Sequence, residues 1–123
     1  MEPDLQKTAE MIIEWAEEKK AEKISLIDVK TKSEYTDAII ICEGMNQLHL
    51  QAIADNMMDK ARDIDLELLA VEGYENATWI LLDFIDIIVH IFNRETRSYY
   101  HIEDLWNVTP RNKTRAEREN GQN

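Results

Sequence analysis

Apolar residues recur along this chain in two rhythms. Leu5, Ala9, Ile12, Ile13 and Ala16 are spaced for one face of a helix, with Pro3 near the start and Glu and Lys at intervening positions. They predict an amphipathic helix from residue 4 to about residue 21, with Trp15 beside the stripe. Ile24–Val29 and Asp37–Cys42 are rich in Ile and Val, and the polar stretch Lys30–Thr36 connects them, so both read as strands. A second helical stripe follows at Leu50, Ile53, Ala54, Met57, Ala61 and Ile64, with Asn46 placed to cap it. Leu66–Val71 returns to strand chemistry, and Glu72–Asn76 is a polar loop around Gly73. Two apolar runs then flank Asp83-Phe84-Ile85-Asp86 as the arms of a hairpin, and Glu95–Trp106 reads as one or two short helical turns. Beyond Thr109 no apolar periodicity remains, so residues 1–109 form the expected domain and 110–123 an expected disordered polar tail.

That order places the chain in the α/β class, as a single domain with one mixed sheet of about five strands and helices packed on it. The helix between the Asp37 and Leu66 strands is long enough for a crossover joining parallel strands, and the hairpin then adds antiparallel ones.

The hairpin can be read face by face. With Phe84-Ile85 as a two-residue turn, Asp83 faces Asp86, Leu82 faces Ile87, Leu81 faces Ile88, Ile80 faces Val89 and Trp79 faces His90. One face is then wholly aliphatic, with Ile80, Leu82, Ile87, Val89 and Ile91, and belongs to the core. The other grades from aromatic at Trp79, His90 and Phe92, through Leu81 and Ile88, to doubly acidic at Asp83 and Asp86. An apolar anchor with a charged rim is the composition of a protein interface. The pattern is equally that of a face lying beneath the C-terminal helix, with Tyr99, Leu105 and Trp106 as partners, and it leaves both arrangements open.

Charge changes the picture. The chain of 123 residues carries a formal charge of −11. Arg111, Lys113, Arg115 and Arg118 against Glu117 and Glu119 make the tail +2, so residues 1–110 carry −13. Such a body repels phosphate backbones and is drawn to basic protein surfaces, so any nucleic-acid contact is at most secondary. No run approaches the ~20 apolar residues of a membrane span, and the opening MEPDLQKTAE has neither secretory nor transit-peptide character, so no membrane association and a cytoplasmic location are expected. Cys42, the only cysteine, sits in an apolar run and reads as a core thiol.

Catalytic constellations are sparse. Asp83 and Asp86 are three apart across a turn, whereas metal-dependent nucleotide-transferring enzymes place two acids at i and i+2 on one strand. Glu43-Gly44-Met45-Asn46 lacks a Gly-Ser to hold a triphosphate, and no Walker loop or dinucleotide fingerprint is present. His49, His90 and His101 fall in different elements, so no metal and no cofactor is expected, and His90 reads as a packed or hydrogen-bonded neighbour of Trp79. The chain reads as a non-enzyme, with a metal-dependent nucleotidyltransferase-like enzyme as the alternative.

Several short motifs add to this in a fixed order. Thr36-Asp37 opens an Ile-rich strand, Ala52-Ile53-Ala54-Asp55 lies in the second helix, and Glu72-Gly73 precedes Trp79-Ile80. Asp83, Asp86 and Val89-His90 follow, and the series closes with Arg97, Tyr100, Glu103 and Leu105-Trp106. From about residue 5 to residue 107 this series resembles the ribosomal silencing factor, or Iojap-like, family. The resemblance implies an α/β fold related to nucleotidyltransferases without their activity. It also implies binding to the large ribosomal subunit through ribosomal protein fourteen, a block on small-subunit joining that represses translation, and a possible homodimer. Trp79 and Asp83 match family positions linked to the ribosomal-protein contact. With Leu81, Asp86, Ile88, His90 and Glu72 they make up the expected binding site, the acids pairing with basic residues of the partner. Two features depart from the family pattern. Ile85 stands where relatives carry Gly, and Met45-Asn46-Gln47-Leu48 replaces a stretch that commonly holds Ser or Thr and an Arg.

Overall fold

The computed structural model describes residues 1–31, 33 and 36–100. In chain order its elements are α1 (Pro3–Glu18), β1 (Glu22–Asp28), β2 (Ala38–Gly44), α2 (Gln47–Asp63), β3 (Ala70–Glu72), β4 (Trp79–Asp83), β5 (Ile87–Asn93) and α3 (Arg94–Tyr100). The five strands form one mixed sheet in the order β1-β2-β5-β4-β3, with β2 and β5 parallel and the other neighbours antiparallel. This is the expected single α/β domain. The expected tail at 110–123 lies outside the described residues.

Both long helices follow from their apolar stripes and their caps. In α2 the Asn46 side chain accepts the His49 amide at 2.9 Å, satisfying one of the donors a helix start leaves open. Each helix ends where a non-glycine residue turns left-handed, Lys20 at φ 62° and Asp65 at φ 58°. The next amide then reaches back, Ala21 N to Ala16 O at 3.1 Å and Leu66 N to Ala61 O at 2.9 Å, which is Schellman-type closure. Ala9, Ile12, Trp15 and Ala16 of α1 meet Leu50, Ile53, Ala54 and Met57 of α2 over Ile40, Cys42, Ile80, Leu82, Val89 and Ile91, all buried. Polar ties hold the two helices together. Asn56 Nδ2 donates to Trp15 O and Glu18 Oε1, both at 2.9 Å, and His49 Nε2 lies 2.7 Å from Lys19 O.

The Leu66 strand is shorter than its composition predicts. Leu66 and Leu68 pack against the main core, and ladder pairing begins only at Ala70. Asp65 and Glu67, interleaved among them, have no place in that core, which leaves three residues as strand. The α2 connection also spans more of the sheet than a simple crossover, because β5 and β4 lie between β2 and β3.

Burial also shows a second side to the sheet. Ile27, Val29, Ile39, Ile41 and Phe92 form a separate cluster on the face away from α1 and α2, with Trp79 packed against it. The alternation of strand side chains separates the two clusters, since odd-numbered residues of β1 and β2 share this second face with even-numbered residues of β5.

Candidate functional site

The hairpin of β4 and β5 keeps the expected division of faces but not the expected pairing. The observed partners are Trp79 with Phe92, Ile80 with Ile91, Leu81 with His90, Leu82 with Val89 and Asp83 with Ile88. Every partner is thus displaced by two residues from a turn centred on Phe84-Ile85. Because the displacement is even, no side chain changes face. The cause lies at the tip. Phe84 is buried, its amide donates to Ile87 O at 2.9 Å, and the pair closes a turn made by Ile85 and Asp86. Asp83 Oδ1 accepts the Ile85 amide at 2.8 Å, and the Asp86 amide donates back to Phe84 O at 2.9 Å. Ile85 is held at φ 74°, a conformation a β-branched residue adopts only at a cost in strain. The Asp37 and Ala38 amides both donate to Asp86 O, at 3.0 and 3.1 Å, anchoring the tip to the start of β2.

The graded face is therefore real, though its members have separate tasks. Trp79 is half-buried. Its Nε1 donates to His90 Nδ1 at 2.9 Å, and its ring lies 4.9 Å from that of Phe92, centroid to centroid. The His90 ring stacks on Phe92 at 5.9 Å with 11° between planes. His90 is itself buried, so it orients Trp79 from below, the neighbour relationship its position predicts. Leu81 and Ile88 are half-buried beside this aromatic group, Asp83 is half-buried beyond them, and Asp86 is exposed at the tip. Glu72 joins the same face because β3 places it opposite Leu81, and it is exposed. All seven expected residues thus lie on the second face of the sheet or at its tip. The alternative cover by Leu105 and Trp106 falls outside the described residues, as does the Tyr99 side chain.

Gly73 sets how closely the loop before β4 approaches this group. It sits at φ 76°, and a Cβ there would come within 2.1 Å of Trp79 O, so a side chain is excluded on both counts.

An ion-pair cluster that sequence reasoning missed lies at the other end of the same face. Glu43, opposite Phe92, is buried, and its Oε2 accepts Arg97 Nη1 at 3.2 Å. Arg97 also donates to Lys23 O at 2.6 Å and to Ser25 Oγ at 3.1 Å, and Arg94 Nε lies 3.9 Å from Glu43 Oε1. The signal was a carboxylate continuing the apolar run Ile39–Cys42 on the buried face, which demands a cation. The cluster fastens α3 across β2 to β1.

Among the described residues no group of three or more His, Cys, Asp or Glu is arranged to hold a metal ion. Asp83 has one oxygen committed to the Ile85 amide. Burial pushes the Cys42 thiol up to about 12, the value of an inert core cysteine. Among the described residues no helix is long and apolar enough to cross a membrane.

Comparison with known proteins gives concordant results. The family model described as "Ribosomal silencing factor during starvation" matches residues 2–123. The chain is 34% identical over 105 residues to the ribosomal silencing factor RsfS of Halalkalibacterium halodurans, covering 85% of this chain and 90% of that one. It is 36% identical over 94 residues to the protein of the same name from Bacillus subtilis, covering 76% and 80%. A crystal structure of a protein from Chromobacterium violaceum superposes with a TM-score of 0.83 at 28% identity, covering 89% of each chain.

Proposed function

The chain belongs to the ribosomal silencing factor family, and we propose that it acts by binding the large ribosomal subunit through ribosomal protein fourteen. The bound protein then blocks joining of the small subunit and represses translation in the cytoplasm. Membership itself gives a ribosome-associated, regulatory role rather than an enzymatic one.

The observation that carries the proposal is the arrangement of the second sheet face around β4 and β5. Trp79, Leu81 and Ile88 form a half-buried apolar patch, stiffened from below by His90 and Phe92. Asp83, Asp86 and Glu72 rim it. A rigid aromatic anchor loses little side-chain freedom on binding, and acids at its edge steer and orient a basic ribosomal protein. Asp83 serves twice, since one of its oxygens also holds the turn.

Co-sedimentation with purified bacterial large and small subunits tests this. Wild type should pellet with large subunits and not with small ones. Trp79→Ala should lose ~2 kcal/mol, about thirtyfold in affinity, if it is the central anchor. Leu81→Ala, which removes no hydrogen bond, should weaken binding less in the same direction. Asp83→Asn keeps an oxygen for the Ile85 amide while removing the charge, so its deficit should shrink as salt rises. Folded variants that pellet like wild type would refute the assignment of this face.

A further inference from the structure

The two edges of the sheet are treated differently. At β1 the register shifts between Glu22 and Ser25, Lys23 is at φ 50°, and its carbonyl is occupied by Arg97. A bulge, a lysine and a covering side chain are the usual devices that stop an edge from pairing with another chain. Among the described residues β3 carries no lysine, and the one charge in its three residues is Glu72 at the end of the strand. The run Leu68-Leu69-Ala70-Val71 holds no charge and no proline. Among the described strands, only β4 neighbours β3. Leu69 and Val71 are 63% and 37% exposed, and Ile85 at the adjacent hairpin tip is 38% exposed. Leu69 precedes the ladder, and its amide donates to Asp83 O at 2.7 Å, one residue from Phe84, which brings the edge and the hairpin tip together as one apolar corner.

The stretch of chain that builds this corner carries charge of one sign. Between Arg62 and Arg94 the chain contains no lysine or arginine, while Asp63, Asp65, Glu67, Glu72, Glu75, Asp83 and Asp86 all fall in that stretch. We propose that the β3 edge receives an extended segment of the ribosomal partner, one that alternates basic and aliphatic side chains, as an added strand. Main-chain hydrogen bonds would supply the pairing, Leu69, Val71 and Ile85 would meet its aliphatic side chains, and the surrounding carboxylates would meet its basic ones. The same field repels phosphate, so an RNA strand does not suit this edge. With three residues in β3 the pairing is short and supplements the Trp79 face rather than replacing it. The inference rests on the ribosome-binding reading above.

Val71→Lys and Leu69→Lys place a lysine on the apolar part of the edge at exposed positions, and Leu48→Lys is the control, at a residue 77% exposed at the start of α2. With each variant shown to be folded by circular dichroism, co-sedimentation with purified large subunits should weaken about tenfold for the two edge variants and not for the control. Hydrogen exchange of wild type with saturating large subunits should show added protection at amides 70–72, which docking through side chains alone would not produce. Unchanged binding by both edge variants, or no added protection, overturns the edge inference, and the face reading survives if Trp79→Ala still loses affinity. Loss in neither would refute the face as well as the edge, and wild type that fails to pellet with large subunits would remove the ribosome-binding reading and the edge inference with it. Protection of 70–72 in the isolated protein that rises with concentration, together with a dimer in sedimentation velocity, would assign the edge to a second copy of this chain and likewise overturn the proposal.

Discussion

Replacing Ile85 by Gly should stabilise the protein even though it deletes a large aliphatic side chain. Ile85 sits at φ 74° in the two-residue turn between β4 and β5, fixed by the Asp83 carboxylate on its own amide and by the Asp86 amide closing on Phe84. Strain of this kind costs about 1–3 kcal/mol, and a β-branched side chain places it toward the upper end. Glycine adds about 0.5–1 kcal/mol of unfolded-state entropy. Lost packing takes back a similar amount, because the side chain is 38% exposed at a tip and neighbours in the chain also shield part of it when unfolded. The balance is a gain of about 0.5–1 kcal/mol, which in a domain of this size raises the midpoint of thermal unfolding by about 2–4 °C. A companion Ile85→Ala variant removes the packing contribution from the comparison. Both replacements lose the side chain, but only Ala retains a Cβ at positive φ, so Gly should exceed Ala by about 1 kcal/mol. Urea unfolding followed by tryptophan fluorescence measures both differences. An Ala variant as stable as the Gly variant would mean that the turn carries no left-handed strain at this position.

Two further expectations concern the supports of the site. Gly73→Ala places a Cβ within 2.1 Å of Trp79 O at φ 76°, so it should cost about 2 kcal/mol or more and shift tryptophan fluorescence, whereas a thermal midpoint equal to wild type would contradict the close approach. Cys42, buried in β2 with its thiol pushed up to about 12 by burial, should resist iodoacetamide at pH 8 in the native protein and react once the chain is unfolded. Rapid native alkylation would mean that β2 opens.

Much of this architecture is legible in the alternation of residues, and the exceptions have physical causes. Face assignment in β4 and β5 follows from a period of two and survives the displaced pairing, because a shift by two residues leaves each side chain where it was. The pairing itself was not legible. It depends on Phe84 being drawn into the core and on a side-chain carboxylate capping a strained turn, neither of which a hydrophobic pattern encodes. The truncation of β3 has a similar origin, since Leu66 and Leu68 satisfy the core without joining the ladder. Of the site, Trp79 and its acidic neighbours stand out by composition alone. The Trp79–His90 contact was legible as a neighbour relationship, although the true register makes it diagonal rather than directly opposite. Glu43 was detectable in principle as a buried carboxylate, but its partner Arg97 is 54 residues away, and local pattern does not link them.

Subunit joining followed by light scattering tests the central claim most directly. Purified small and large subunits are mixed with the protein in excess, at a magnesium concentration that otherwise supports association, and the rise in scattering is recorded for wild type and for folded Trp79→Ala and Asp83→Asn variants. Wild type should suppress the rise and Trp79→Ala should restore it, with Asp83→Asn intermediate and nearing wild type as salt increases. A wild-type protein that leaves joining untouched, or a folded Trp79→Ala variant that blocks it as strongly as wild type, would contradict the account.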